Sequence, residues 1–111
     1  MSLLDWLKTR FTSRGRVVSM YRQGIEKAKV KDRSGAIVAY TAVIEMPDVP
    51  RDLLAMSLFN RGLVLVAGGD SDKGGQDLDA VSAMDDAPER VREMARQKLI
   101  RMKKRNPEKS G

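Results

Sequence analysis

Chemistry in this chain has to be sought among its carboxylates, because the 111 residues include neither histidine nor cysteine. Without imidazole or thiolate there is no disulfide framework, no thiol nucleophile, no hydrolytic triad and no ordinary zinc site. The densest acidic stretch is Asp70-Ser71-Asp72-Lys73-Gly74-Gly75-Gln76-Asp77-Leu78-Asp79. The spacing of Asp70, Asp72 and Gly75 resembles the opening of a calcium-binding loop of the EF-hand type. The twelfth place of such a loop needs a bidentate glutamate, however, and here it is Val81, while Lys73 intrudes among the ligands. A helix cap at Asp70 or Ser71 explains the same residues, so no metal and no cofactor are expected. Asp77, Asp79, Asp85 and Asp86 read as a solvated acidic segment with no base, lysine pocket or phosphate loop beside it in sequence. Gly68-Gly69 is not followed by the Gly-Lys-Ser/Thr of a phosphate loop and reads as a helix stop. The expectation is a protein that binds rather than one that catalyses.

Charge is distributed in blocks. Residues 1–33 hold nine Lys/Arg and three Asp/Glu, residues 34–87 hold three and nine, and residues 88–111 hold nine and three. Basic ends thus flank an acidic middle, a pattern that concerns fields and partners rather than fold. It suits an anionic partner at the ends, or attraction between ends and middle within one chain or between two copies. A nucleic-acid contact would draw on Arg14, Arg16, Arg22, Lys27, Lys29 and Lys31 early and on Arg101, Lys103, Lys104 and Arg105 late. No nucleic-acid motif accompanies them and stacking aromatics are scarce, so a solvated helix face is the simpler meaning. The start of the sequence has no secretory pattern and no stretch reaches the ~20 apolar residues of a membrane span. A cytoplasmic location is the resulting expectation.

Hydrophobic periodicity predicts helices throughout. A short amphipathic helix is expected over residues 2–11, with Leu3, Leu4, Leu7 and Phe11 at helical spacing and Trp6 beside them. Thr12 to Arg16 reads as a basic hinge, so residues 1–16 form a first unit. Helices follow at about 17–30, 34–46, 51–67, 72–84 and 88–104, and residues 106–111 read as a disordered tail. Ser34, Asp48, Asp70 and Asp86 are the candidate caps, and Pro50 and Pro88 fall in first turns. The helix at 51–67 is apolar nearly all round and should be the most buried. The Gly74-Gly75 pair should loosen the helix that contains it.

Placing Gly24 over Gly62 makes two halves correspond at an offset of 38. Ala36 falls over Gly74, Tyr40 over Leu78, Val43 over Val81, and Lys31-Asp32 over Gly69-Asp70. With Asn60-Arg61-Gly62 and Ser34-Gly35-Ala36 followed by Tyr40, residues 17–86 resemble a tetratricopeptide-repeat protein, whose usual period is about 34 residues. The added length lies in the connection from Pro47 to Asp52. The signature Trp and Tyr of the first helix are absent, and the closing proline is displaced to Pro47 and Pro88.

The resemblance implies an all-α fold of antiparallel helical hairpins. It would be a TPR-like right-handed superhelix of about two degenerate repeats plus a C-terminal capping helix, occupying residues 17–105. It also implies an adaptor that holds a peptide or helix in a concave groove. Carried onto this chain, that groove comprises Tyr21, Arg22, Ile25 and Lys29 from the first repeat and Phe59, Asn60, Leu63 and Val66 from the second. The family's carboxylate clamp is matched at Asn60 alone, since Tyr21 and Ile25 replace the expected cation and amide. An apolar groove needs a cover. Helix 2–11, through Leu3, Trp6, Leu7 and Phe11, is expected to supply it, or else to dock on a partner or a membrane surface. A protein or peptide is the expected partner; nucleic acid, membrane and a second copy are the alternatives.

Overall fold

A computed structural model describes residues 2–105, and residues 5–13 of these as backbone alone. Five α-helices follow one another: α1 Leu3–Lys29, α2 Arg33–Ile44, α3 Arg51–Ala67, α4 Ser71–Ser82 and α5 Glu89–Arg105. The described residues contain no strand. Consecutive helices pack on each other, and α3 in addition touches both α1 and α5, whereas α2 and α4 do not meet. The result is two layers, one of α1, α3 and α5 and one of α2 and α4. The helix at 51–67 is central, as its apolar circumference predicts.

The two hairpins turn by the same device. At the end of α3, Gly69 takes a φ of 96°, a left-handed conformation that glycine adopts without steric cost. The Gly69 N–H donates to the Val66 carbonyl at 3.0 Å and the Asp70 N–H to the Leu65 carbonyl at 2.9 Å. That pair of bonds is a Schellman stop, which satisfies carbonyls the helix end would leave orphaned. The Asp70 carboxylate then accepts from the Lys73 N–H at 3.1 Å and opens α4. Thirty-eight residues earlier, Lys31 occupies the left-handed position with a φ of 62°. Its N–H donates to Ala28 at 3.0 Å, the Asp32 N–H to Lys27 at 2.9 Å, and the Asp32 carboxylate accepts from Gly35 at 2.9 Å. The correspondence seen in the sequence is therefore a correspondence of backbone hydrogen bonds.

Packing within the hairpins repeats as well. A Cβ on Gly24 would overlap the ring of Tyr40. A Cβ on Gly62 would lie 3.1 Å from both the Gly74 carbonyl oxygen and Leu78 Cγ. Gly74 returns the contact, since its Cβ would lie 2.7 Å from the Gly62 carbonyl oxygen. Helices α3 and α4 therefore cross backbone to backbone at these two glycines. The core on either side is aliphatic. Val17, Val43 and Leu53 form one buried group, and Ala55, Leu78, Val81, Ala87, Val91 and Ala95 form the other.

Several local expectations are corrected. Residues 12–16 are not a hinge: α1 runs unbroken from Leu3 to Lys29. Gly15 costs a helix interior only about 1 kcal/mol and Thr12 and Ser13 less than that each, too little together to force a break. Asp32, not Ser34, caps α2. Pro50 stands at the N-cap of α3 without a side-chain bond, and Asp48 turns the chain at a φ of 56° instead. The Asp86 carboxylate does not cap α5 but receives Arg51 at 2.6 and 3.3 Å, tying the start of α3 to the loop before α5. Helix α4 passes through Gly74-Gly75 without loosening, because Gly74 is held against α3. The tail at 106–111 lies outside the described residues.

Candidate functional site

Leu63 is the centre of the face that α1, α3 and α5 present. On one side it shares an open cleft of about 480 Å³ with Phe59 of α3 and with Arg90, Met94, Lys98 and Arg101 of α5. On the other side it meets Ala28 of α1, with Lys31 and Arg33 at the rim. Phe59 and Leu63 lie one turn apart on α3, so both point the same way. They also pack against the α3–α4–α5 core, which fixes the floor of the cleft. Met94 is 37% exposed and stands where the apolar stripe of α5 reaches solvent.

The expected groove residues separate into three sets. Phe59 and Leu63 are brought together in the cleft. Tyr21 and Asn60 are instead committed to each other, the Asn60 amide donating to the Tyr21 hydroxyl at 2.8 Å across the α1–α3 contact. The Tyr21 ring also tilts against that of Tyr40 at 6.0 Å. Burial raises the pKa of the Tyr21 phenol, and the Asn60 hydrogen bond partly opposes that rise. Val66 is not a groove residue, because its side chain lies against Gly74 inside the α3–α4 hairpin. Arg22 is exposed on α1 among Val18, Gln23 and Glu26, away from Leu63. Lys29 is exposed and pairs with Glu26 at 3.3 Å, and Ile25 is half-buried. The repeat resemblance that placed Val66 beside Leu63 could not tell the α4-facing side of α3 from the open side.

The covering helix needs a separate correction. Because α1 is continuous, its first turns extend onward from the hairpin and no hinge returns them over Leu63. Leu3 and Leu4 are 74% and 66% exposed. The side chains of Trp6, Leu7 and Phe11 lie outside the described residues.

Asp77 is not solvated. It is 7% exposed and is gripped by Arg61, with Nε to Oδ2 at 2.7 Å and a second guanidinium N–H to Oδ1 at 2.8 Å. The third Arg61 nitrogen donates to Thr41 Oγ1 at 3.1 Å, so one side chain joins α2, α3 and α4. Hydrogen bonding to Asp77 raises the guanidinium pKa, against a smaller opposing effect of burial. The arrangement is a forked ion pair with its donors and acceptors engaged, a strut rather than a reactive pair. Residues 70–81, whose spacing resembles a calcium loop, form a cap and a helix. Among the described residues no three acidic groups are placed to hold a metal ion. No helix among them is long and apolar enough to cross a membrane.

The cleft residues that sequence reasoning did not assign to the groove are Arg90, Met94, Lys98 and Arg101, the last of which entered only as a possible nucleic-acid contact. Their spacing on α5 marks one helix face, but the resemblance assigned that helix to capping. Comparison with protein-family models, with curated proteins and with solved structures gives no match.

Proposed function

We propose that this chain is a TPR-like interaction module, an adaptor that holds a peptide or helix of another protein against the face of α1, α3 and α5. The observation that carries this reading is the open cleft around Leu63, floored by Phe59, Leu63 and Met94. Apolar side chains gathered at the surface between two helices are the ordinary seat of a partner helix. The repeated turn and glycine contacts support the hairpin-repeat reading, in which alternate helices line one face. On this reading the protein has no catalytic residue and needs no cofactor, and its working place is the cytoplasm. A photo-crosslinking residue at Met94, compared with one at exposed Ala80 on α4, tests the proposal in native lysate. Protein crosslinks from position 94 that survive nuclease are expected. Equal crosslinking from position 80, or loss of the crosslinks with nuclease, refutes the reading.

The exposure of Leu3 and Leu4 favours a second use of the chain, contact of the start of α1 with a membrane surface. Lys8, Arg10, Arg14 and Arg16 on the same stretch suit anionic lipid. A blue shift of Trp6 fluorescence with anionic vesicles, absent with neutral ones, is the expected result. No shift with either sinks this use.

A further inference from the structure

We infer that the occupant of the α3–α5 cleft is an acidic amphipathic helix of a partner protein. This rests on the reading of that cleft as a docking groove and adds the chemistry of what docks there. The floor is apolar, and its wall on α5 carries Arg90, Lys98 and Arg101. None of the three takes part in an ion pair among the described residues, whereas neighbouring Arg96 is paired with Glu93 at 3.5 Å. Among the described residues Glu93 is the one carboxylate lining the cleft, and it also accepts from Gln97 at 3.1 Å, so it does little to offset the cations. Across Leu63, Lys31 and Arg33 add two further cations that make no ion pair among the described residues. Most of the positive charge of the molecule sits on this layer. Helix α1 carries seven Lys/Arg to two Asp/Glu and α5 eight to two, while the acidic residues gather in α4 and the loops.

Those facts select among occupants. An apolar strip between rows of unmatched cations complements a helix with leucine-like residues on one face and Asp or Glu beside them. The cations at 90, 98 and 101 span about 16 Å of helix axis, the length of three turns of a partner helix. The start of this chain's own α1 is a poor fit, because Lys8, Arg10, Arg14 and Arg16 against Asp5 repeat the charge of the groove. A second copy offers α4 as its acidic helix, but the exposed positions of α4 are Asp72, Lys73, Gln76, Asp79 and Ala80, with nothing large and apolar to meet Phe59 and Leu63. A nucleic acid would use the cations and leave the apolar floor unmatched.

The test selects displayed helical peptides of about four turns, varied in charge and apolar pattern, on the immobilised full chain. The expected winners are net acidic with large apolar residues at helical spacing. Their synthetic copies should bind more weakly in rising salt. They should also lose at least about tenfold in affinity to the triple variant Arg90→Glu, Lys98→Glu, Arg101→Glu, because three exposed rim pairs, each modest alone, turn repulsive together. Met94→Glu, on an exposed position, should also abolish binding while leaving the circular dichroism spectrum unchanged. Neutral or basic winners, or indifference to the triple reversal, overturn the inference. The docking reading survives that outcome if Met94→Glu still abolishes binding, and falls if Met94→Glu is silent or if no peptide is enriched. A single-stranded oligonucleotide that binds the wild type, ignores Met94→Glu and is lost on charge reversal assigns the face to nucleic acid and overturns both. A concentration-dependent dimer dissolved by Met94→Glu assigns the cleft to a second copy and overturns the partner helix.

Discussion

Neighbouring glycines in α4 should respond to the same substitution with opposite sign. Gly75 faces open ground, where an alanine Cβ would lie 3.8 Å from the end of the Met102 side chain, an ordinary contact. Replacing it should simply recover helix propensity, a gain of about 0.5–1 kcal/mol. Gly74 meets backbone. Its Cβ would lie 2.7 Å from the Gly62 carbonyl oxygen and 3.0 Å from the Val66 nitrogen, and neither atom can rotate away. Relief requires α3 and α4 to separate, and overpacking of that kind costs about 1–3 kcal/mol. Set against the same propensity gain, Gly74→Ala should lose up to about 2.5 kcal/mol. For a domain of this size that is a fall in Tm of up to roughly 15 °C, against a rise of a few degrees for Gly75→Ala. Urea and thermal unfolding followed by far-UV circular dichroism measure both. If Gly74→Ala stabilises the protein as Gly75→Ala does, α3 and α4 do not cross at these glycines, and the close-packed hairpin is wrong.

Other perturbations test the remaining contacts. Asp77→Ala leaves Arg61 half-buried without its partner and should cost about 3 kcal/mol. A double-mutant cycle with Arg61→Ala should show strong coupling, and additivity would remove the strut. Tyr40 has its phenol pushed up to about 12 by burial, with Tyr21 adding to the rise. Since an unfolded tyrosine titrates near 10, this group's contribution is intact below about pH 10 and is lost as pH rises towards 12. Tyr40→Phe should therefore blunt alkaline unfolding, and an unchanged alkaline midpoint would show that the ring is not shielded. The Asp86 carboxyl is held below its ordinary range chiefly by its hydrogen bond with Arg51. Its contribution is present above the ordinary carboxylate pKa and disappears as pH falls through the depressed value. The stability difference between wild type and Asp86→Asn should therefore vanish in acid, and a difference that persists there would break the link. Gly15→Ala meets nothing within 4 Å and should raise the helicity of α1, where a hinge would show no gain.

Local signals carried the elements well where the deciding interaction was itself local. The bounds of α3, the Gly69 stop and the Asp70 cap all lie within a few residues of the atoms they satisfy. The repeat was legible for the same reason, because a turn and a small-residue contact each leave a mark at a fixed position. Distant partners left none. Asp77 looks solvated until Arg61, sixteen residues earlier, is brought beside it by the hairpin. Asp86 suits a cap until Arg51 captures it. In the site, Phe59 and Leu63 could be named from the repeat resemblance, but Val66, named on the same ground, turns towards Gly74. The cationic wall of α5 was visible as charge. Its place opposite Leu63 depends on how α5 returns past α4, a question of tertiary packing that spacing along one helix does not address.

The unbroken course of α1 has a mechanical consequence. Residues 3–16 lie ahead of Val17, the first buried residue of the helix among those whose side chains are described, and at 1.5 Å per residue they reach about 20 Å. A continuous helix acts as a stiff spacer rather than a flexible tether. Whatever holds Leu3 and Leu4 therefore also sets the distance and the rotation of the Leu63 cleft relative to that anchor. Two ligands, one at each end, would be held apart on a fixed ruler. Lengthening α1 by a single residue would turn the cleft by about 100°, and lengthening it by a full turn would restore its aspect one pitch further out.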